Sequence, residues 1–535
     1  MTDNRMERRA FLKNASVVLA GAALTTSPFA YAADSSLIVE TVYGKVRGAF
    51  AGGVKVFKGV PYGANTAGAN RFLPPKAPVA WTGVRDALAY GPNAPQTVGD
   101  APRRPGALPE SEDCLVLNVW TPSLTGSRPV LVWLHGGGFS YGTGSASDTA
   151  GFGLARAHDT VVVTINHRLN VLGSTYLGEA AGREFAPSGT VGMMDCVAAL
   201  RWVRENIRNF GGNPDVVTIA GQSGGGRKVS TVMAMPSAHG LFHRAIIESG
   251  AVLRLTTKED ATHNTDLLLA ELGLKPGEAH KLQQVPLDRV MTANAAVVKK
   301  VTPREPGGTS GTPMVDGHVI PRHPWDPGAP GISSKVPLMI GWNRTEETGF
   351  DRPTAESMAL DEDGLIKRAT ARLRTDPAAV IQTFRKSYPT ATPWDLWILI
   401  GTECPRGVYT RELAKRKAVQ GGAPVYVYRF DWETPAGGGH LHSPHSEEIP
   451  FAFDNINAAP KGVDQMPTAQ PLADKVSATW AAFARTGDPN NSKLPSWPKY
   501  TVQSRDTLIF NNDIHVVSDP DREQRLAIEK VLKLS

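Results

Sequence analysis

The sequence predicts an α/β fold, with a large, mostly parallel central sheet and helices on both of its faces. Three dense apolar runs, VLNVW (116–120), VLVWLH (130–135) and TVVVTINHRL (160–169), have the composition of strands buried on both sides. Apolar residues recur every three or four positions over 193–210, which predicts a helix with one buried face. Such alternation of strands and helices is typical of a parallel sheet.

The remaining segments complete a single domain over 33–535. Apolar runs in the last quarter of the chain predict further strands, and the C-terminal REQRLAIEKVLKL predicts a last helix. Segments with charged faces and Pro or Gly breaks predict helical insertions around the sheet. The other predicted elements are a small N-terminal β-hairpin sheet at 35–60, helical insertions at 255–310 and 351–420, and strands at 424–432 and 506–512.

Residues 1–32 have the pattern of an export signal. ERRAFLK (7–13) carries paired arginines, ASVVLAGAAL (15–24) is a short apolar run, and AYA (30–32) is a small-x-small cleavage site. The pattern predicts a twin-arginine signal, recognised by the Tat translocation machinery, and a periplasmic or secreted protein. The apolar run is shorter than the roughly 20 residues of a membrane-spanning helix, so no stable anchor is expected after cleavage. An uncleaved membrane anchor is the alternative.

Charge and cysteine content exclude several classes of function. The net charge is +6, but lysines and arginines form no dense stripe, so we expect no nucleic-acid partner. The three cysteines, Cys114, Cys196 and Cys404, form no CxxC pair. A protein that folds in reducing cytosol before export cannot depend on disulfides, so free, buried thiols are expected. No pattern predicts a cofactor or a metal site.

The segment GQSGGG (221–226) lies between the apolar run VVTIA and a helical pattern. In G-x-S-x-G the serine lies on a strained turn from strand to helix, which predicts Ser223 as a nucleophile. Gly221 and Gly225 stand where the two backbones come close, and the N–H of Gly224 points toward a substrate carbonyl. A structural turn is the alternative for this motif taken alone.

A second glycine motif favours the catalytic interpretation. LHGGGF (134–139) follows the apolar strand VLVW, the position from which a loop supplies oxyanion-binding N–H groups. We assign Gly137 and Gly138 to the oxyanion hole, with Gly224 as the third donor. A flexible loop is the alternative.

These motifs resemble the type-B carboxylesterase family of α/β-hydrolases, which includes cholinesterases and bacterial para-nitrobenzyl esterases. The resemblance runs over nearly the whole mature chain. It implies an α/β-hydrolase fold and a carboxylic-ester hydrolase that works through an acyl-enzyme without a cofactor. The matching segments are FKGVPYG (57–63), SEDCLVLNVW (111–120), HGGGF (135–139), INHRLNVLG (165–173), NPDVVTIAGQSGGG (213–226), GLFHRAIIESG (240–250), PMVDG (313–317) and WAAFARTGDPN (480–490).

The resemblance also implies the other two members of a catalytic triad. The chain order in such enzymes is serine, acid, histidine. Glu346 matches the family's acid, and Glu347 replaces a family glycine. His445 matches the base in the pattern His-x-x-Glu-φ-Pro-φ-φ-Phe, where φ is apolar. His440 and His442 are expected to face solvent or the pocket rim.

Gln222 departs from the family, which usually has glutamate before the nucleophile. Losing that charge should lower the pKa of the catalytic histidine. Arg227 and Lys228 lie nearby in the chain, and we expect both cations to pair with nearby acids, because such side chains are usually paired or solvated. A pocket that tolerates anionic esters is the alternative. Some bacterial members hydrolyse polycarboxylate esters such as fumonisins.

The expected substrates are small to medium esters. The same triad also serves an amidase or carbamate hydrolase, which is the alternative among enzymes. A non-catalytic binding protein is the alternative of a different class, because fold alone does not fix function.

Overall fold

The computed structural model describes residues 32–96, 108–301, 311–460 and 462–534. Within these ranges thirteen strands form one sheet. In chain order, β1 to β13 are Ala32–Thr41, Gly44–Ala51, Val54–Pro61, Val84–Asp86, Val116–Thr121, Arg128–Leu134, Val161–Ile165, Gly212–Gln222, Arg244–Glu248, Leu338–Asn343, Val425–Phe430, Asp506–Phe510 and His515–Ser518.

The sheet confirms the predicted fold class. Its spatial order is β1, β2, β3, β5, β7, β6, β8, β9, β10, β11, β12 and β13, with β4 beside β2. The seven strands from β7 to β12 in this order are all parallel. The N-terminal hairpin, β1 and β2, joins the same sheet, because β3 pairs with both β2 and β5. β8 lies between β6 and β9 in the parallel part of the sheet. Its carboxyl end therefore lies near the middle of the edge that the carboxyl ends of the parallel strands form.

Fifteen α-helices lie in the described part of the chain. In order, α1 to α15 are Phe152–His158, Asn170–Ser174, Gly178–Ala181, Val191–Asn206, Gly224–Val232, Lys258–Glu271, Leu287–Lys300, Ala355–Met358, Glu362–Leu373, Ala378–Ser387, Pro393–Thr402, Val408–Gln420, Ile449–Ala452, Ala469–Thr486 and Arg522–Leu532.

Both faces of the sheet are covered, which explains the unbroken apolar runs in its strands. In β6, Leu131 and Trp133 are buried in a core that also contains residues of α1 and α14. Val130 and Val132, which alternate with them, are buried in a second core with residues of α4. Each fully buried side chain of this kind contributes about 1.5–3 kcal/mol. The two cores hold the central strands rigidly, and with them the strand ends that carry the site.

The helical insertions lie where the sequence predicts them. α6 and α7 fall within the first predicted insertion, and α8 to α12 connect β10 to β11. Between α11 and α12 the chain makes a single π-type turn, Glu403–Gly407, in which Cys404 is not helical. This turn brings Arg406 to the site described below.

Other predictions concern export and the cysteines. The predicted signal lies almost wholly in residues 1–31, outside the described residues. Within the described ranges no helix is long and apolar enough to cross a membrane. Cys114, Cys196 and Cys404 are free and buried.

Candidate active site

Ser223 lies on a sharp turn between β8 and α5. Its backbone has φ 56° and ψ −118°, a conformation that non-glycine residues rarely adopt. The Ser223 N–H donates to the Glu248 carbonyl at 2.8 Å, and its own carbonyl accepts from the Arg227 N–H at 3.0 Å. A Cβ on Gly221 would lie 2.5 Å from the carbonyl carbon of Gly225. Glycine is therefore required where the strand and the helix cross, as the sequence pattern predicts.

The loop after β6 lies directly against the start of α5. Gly137 and Gly138 adopt φ of 84° and 64°, which favour glycine. A Cβ on Gly224 would lie 2.5 Å from the Gly138 Cα and closer still to the Gly138 backbone nitrogen and oxygen. The structure thus brings together the three glycines assigned to the oxyanion hole. Gly224 lies against Gly138, and this contact involves backbone atoms alone.

His445 and Glu346 form a hydrogen bond between the imidazole Nδ1 and the carboxylate Oε2. Glu346 is fully buried and begins the turn after β10, where its Oε1 accepts the Asn343 N–H at 2.8 Å. Gly349 closes that turn, and a Cβ there would lie 2.7 Å from the Cβ of His445. The carboxylate fixes the ring orientation, which leaves Nε2 as the nitrogen that can accept a proton.

The pKa values of this pair move in the same direction for different reasons. Burial would raise the pKa of Glu346, but His445, Arg406 and the Asn343 N–H together hold it below its usual value. Burial lowers the pKa of His445, and the charges of Arg406 and Arg227 lower it further against the opposing effect of Glu346. Around neutral pH the carboxylate is therefore ionised and the imidazole neutral, the forms that a general base and its acid partner need.

Gln222 is buried beside the imidazole. Its side-chain nitrogen lies 3.4 Å from both ring nitrogens of His445. An amide at this distance adds no charge, whereas a carboxylate in its place would favour the imidazolium.

Glu346 and Glu347 point to different partners. Glu347 pairs with Arg372 at 2.5 Å. Arg406 bridges the two glutamates, 3.8 Å from Glu346 and 3.7 Å from Glu347. Arg406 lies in a predicted insertion and is a site residue that the sequence motifs do not predict. The one local signal is Pro405, which marks a break between two helices.

Lys228 is fully buried, and its ammonium donates to the His135 carbonyl at 2.8 Å. The expectation that Lys228 pairs with an acid is wrong in this respect, because its hydrogen-bond acceptor is a backbone oxygen. His135 directly precedes the three-glycine loop and follows the end of β6, so its carbonyl has no ladder partner. Burial lowers the pKa of Lys228 to about 7.

Two further buried carboxyl groups lie behind the triad. Asn343 donates to Glu448 Oε2 and to the Pro444 carbonyl, both at 2.6 Å, and so ties β10 to the segment that carries His445. Burial raises the pKa of Glu448 well above its usual value, and raises that of Glu248 to about 7. Burial therefore favours the neutral form of Glu448.

The two histidines that shortly precede His445 in the chain, His440 and His442, lie apart from the triad. His440 is exposed, and His442 lies 3.6 Å from Glu433 on the surface. Among the described residues, no group of three His, Cys, Asp or Glu side chains could hold a metal ion.

Comparison with known proteins gives the family. The carboxylesterase family model matches residues 35–528. The para-nitrobenzyl esterase of Bacillus subtilis (strain 168) is 35% identical over 496 residues, which cover 91% of this chain and 97% of that protein. The fumonisin B1 esterase of Sphingopyxis macrogoltabida is 30% identical over 485 residues, covering 87% of this chain and 85% of that protein.

Solved structures agree with the sequence relatives. A carboxylesterase of Geobacillus stearothermophilus superposes with a TM-score of 0.81 at 38% identity, covering 92% of this chain and 99% of that one. The fold is therefore that of the α/β-hydrolases, and the expectation from the motifs is confirmed. The chain belongs to the carboxylesterase family and is a carboxylic-ester hydrolase.

Proposed function

We propose that Ser223, His445 and Glu346 hydrolyse carboxylic esters through an acyl-enzyme intermediate. The observation that carries this proposal is the hydrogen bond from His445 to the buried Glu346, beside Gln222, which directly precedes a serine on a strained turn. Ser223 Oγ attacks the ester carbonyl while His445 Nε2 takes its proton. The alcohol leaves with that proton, and water then hydrolyses the acyl-enzyme by the same steps.

The negative charge on the carbonyl oxygen is stabilised by backbone N–H groups of Gly137, Gly138 and Gly224. These groups belong to two segments in direct backbone contact, so they are held in place before the reaction begins. Donors that need no reorganisation are the main source of stabilisation in acyl transfer.

The substrates of this proposal are small to medium esters. It extends to esters that carry carboxylates, such as fumonisins, for two reasons. A fumonisin B1 esterase is among the relatives, and Gln222 places no negative charge beside His445. Amides and carbamates are the alternative substrates for the same triad. We also propose export by the twin-arginine route, which fractionation of cells with Arg8 and Arg9 changed to lysine would test.

The test combines covalent labelling with turnover. Wild-type protein should gain the mass of one fluorophosphonate adduct and should hydrolyse para-nitrophenyl butyrate, and Ser223→Ala should do neither. A circular-dichroism melt of Ser223→Ala checks that the variant is folded. Labelling and turnover that persist in Ser223→Ala would refute the assignment of the nucleophile. Faster turnover of a matched anilide or carbamate than of the ester would favour the alternative substrates.

A further inference from the structure

The two halves of the oxyanion hole lie on separate segments of the chain. Gly137 and Gly138 belong to the loop after β6, and Gly224 begins α5. β6 and β8 pair in the sheet as far as Leu134 and Gly221, where their pairing ends. Hydrogen bonds of the sheet therefore do not fix the distance between the loop and the helix. Other contacts must hold the three N–H groups so that they point to one oxygen atom.

Lys228 contacts the loop on both sides of its glycine run. Its ammonium donates to the His135 carbonyl at 2.8 Å and lies 5.7 Å from the centroid of the Phe139 ring. His135 directly precedes the three glycines, and Phe139 directly follows them. An ammonium within about 6 Å of an aromatic ring is attracted to the face of that ring. One side chain thus holds the two residues between which Gly137 and Gly138 lie.

The backbone of Lys228 belongs to the other half of the oxyanion hole. Lys228 lies one helical turn after Gly224 on α5, so the two residues move together. Its side chain is fully buried, and in the described part of the chain it makes no ion pair. The hydrogen bond to the loop is therefore the contact that offsets the cost of burying this ammonium.

Resting on the proposed ester hydrolysis, we propose that Lys228 is a positioning residue that ties the loop of Gly137 and Gly138 to the helix of Gly224. It sets the geometry of the oxyanion hole through the backbone and does not act on the substrate itself. A loop released from Lys228 moves away from α5, and the three N–H groups then no longer converge on the oxyanion.

The far end of the loop has anchors of its own. The Asn170 N–H donates to the Phe139 carbonyl at 2.7 Å, and the Gly142 N–H donates to the Gln96 side chain at 2.9 Å. Without Lys228 the loop therefore shifts only in part. The expected loss in kcat is about tenfold, smaller than the roughly 10²–10³ that follows removal of a whole oxyanion donor.

The test compares Lys228→Met with a matched control, Lys417→Met. Methionine keeps most of the apolar length of lysine and removes the donor. Lys417 is also fully buried and donates to backbone carbonyls, those of Ser333 and Ser334 at 2.9 and 2.8 Å, but none of its hydrogen bonds reaches the site. With para-nitrophenyl butyrate, Lys228→Met should lower kcat about tenfold and leave KM nearly unchanged, because the oxyanion forms only after binding. Lys417→Met should leave both constants unchanged.

A transition-state analogue gives a readout that a merely structural role would not move. With pentyl trifluoromethyl ketone, Ser223 Oγ bonds to the carbonyl carbon, its proton passes to His445, and the carbonyl oxygen becomes an oxyanion. Methyl pentyl ketone binds without that addition. In Lys228→Met the inhibition constant of the trifluoromethyl ketone should rise by the factor by which kcat falls. The inhibition constant of the methyl ketone should not change.

The outcomes separate this inference from the proposed function. Wild-type kcat in a folded Lys228→Met would overturn the positioning role, and so would a lower kcat with undiminished inhibition by the trifluoromethyl ketone. In both cases ester hydrolysis itself would stand. Wild-type protein that neither turns over the ester nor gains a fluorophosphonate adduct would instead count against the proposed function.

A second variant keeps the inference testable if Lys228→Met does not fold, as judged by its melting curve. In Lys228→Gln the side-chain nitrogen is one bond nearer the backbone, so in a rigid interior it falls short of the His135 carbonyl. The same changes in kcat and in the inhibition constant are expected there. Wild-type values in Lys228→Gln would then overturn the positioning role.

Discussion

Replacing Gly224 with alanine should disable the oxyanion hole, although the change adds only one methyl group. The new Cβ would lie 2.5 Å from the Gly138 Cα, and an ordinary contact begins near 3.4 Å. The loop that carries Gly138 must therefore retreat by about 1 Å, since the rigid interior leaves the helix little room to yield. A displacement of that size removes at least one donor from the oxyanion, which costs about 10²–10³ in kcat.

The assay is the turnover of para-nitrophenyl butyrate by Gly224→Ala, with kcat and KM measured separately. We expect kcat to fall by about 10²–10³ and KM to change little, because the lost interaction forms mainly in the transition state. Gly331→Ala is the control, since nothing lies within 4 Å of a Cβ at that position. The melting temperature of both variants should stay close to that of wild type. Wild-type kcat in a folded Gly224→Ala would refute the inferred contact between Gly224 and Gly138.

Four further predictions concern the histidine, its neighbour Gln222, its acid and the buried lysine. His445 acts as a base only when neutral, and burial lowers its pKa below the ordinary 6.5, so kcat/KM should decline only below that pH. Gln222→Glu adds an anion that favours the imidazolium, so the acid limb of the pH profile should move to higher pH; a limb that stays in place would contradict this. Glu346→Gln should lower kcat by about 10³–10⁴, because the ring loses its orientation and the stabilisation of its cation; a loss below tenfold would exclude Glu346 as the acid. Lys228→Met should lower kcat about tenfold, because the His135 carbonyl loses its hydrogen bond to α5. The free energy of unfolding, measured in urea, should change by less than about 2 kcal/mol, since the cost of burying the amine also disappears. An unchanged kcat would show that this hydrogen bond does not position the loop.

Motifs that depend on backbone geometry could be predicted from the sequence. Gly221 and Gly225 mark a crossing of strand and helix too close for any side chain, and the structure has this crossing. β6 and β7 are dense apolar runs in the sequence because the sheet is covered on both faces. The N-terminal hairpin was also predictable as a local unit. Its junction with the main sheet through β3 was not, because strand pairing over a long sequence separation leaves no local pattern.

Side chains that reach the site from the helical insertions could not be predicted. Arg406 approaches Glu346 because a helix break at Pro405 turns the chain toward the sheet edge. The direction of such a turn depends on how α11 and α12 pack, and periodicity does not specify it. The hydrogen-bond acceptor of Lys228 could not be predicted either. A buried lysine usually pairs with a carboxylate, whereas Lys228 donates to the backbone carbonyl of His135, just after β6.

Gln222 links the acid–base chemistry of the site to its choice of substrate. A glutamate at this position would lie about 3.4 Å from the imidazole, by analogy with the amide, and would place a negative charge beside it. The same substitution would therefore raise the pKa of His445 and repel the carboxylate of an anionic ester. Both effects follow from one charge, so they should change together in Gln222→Glu.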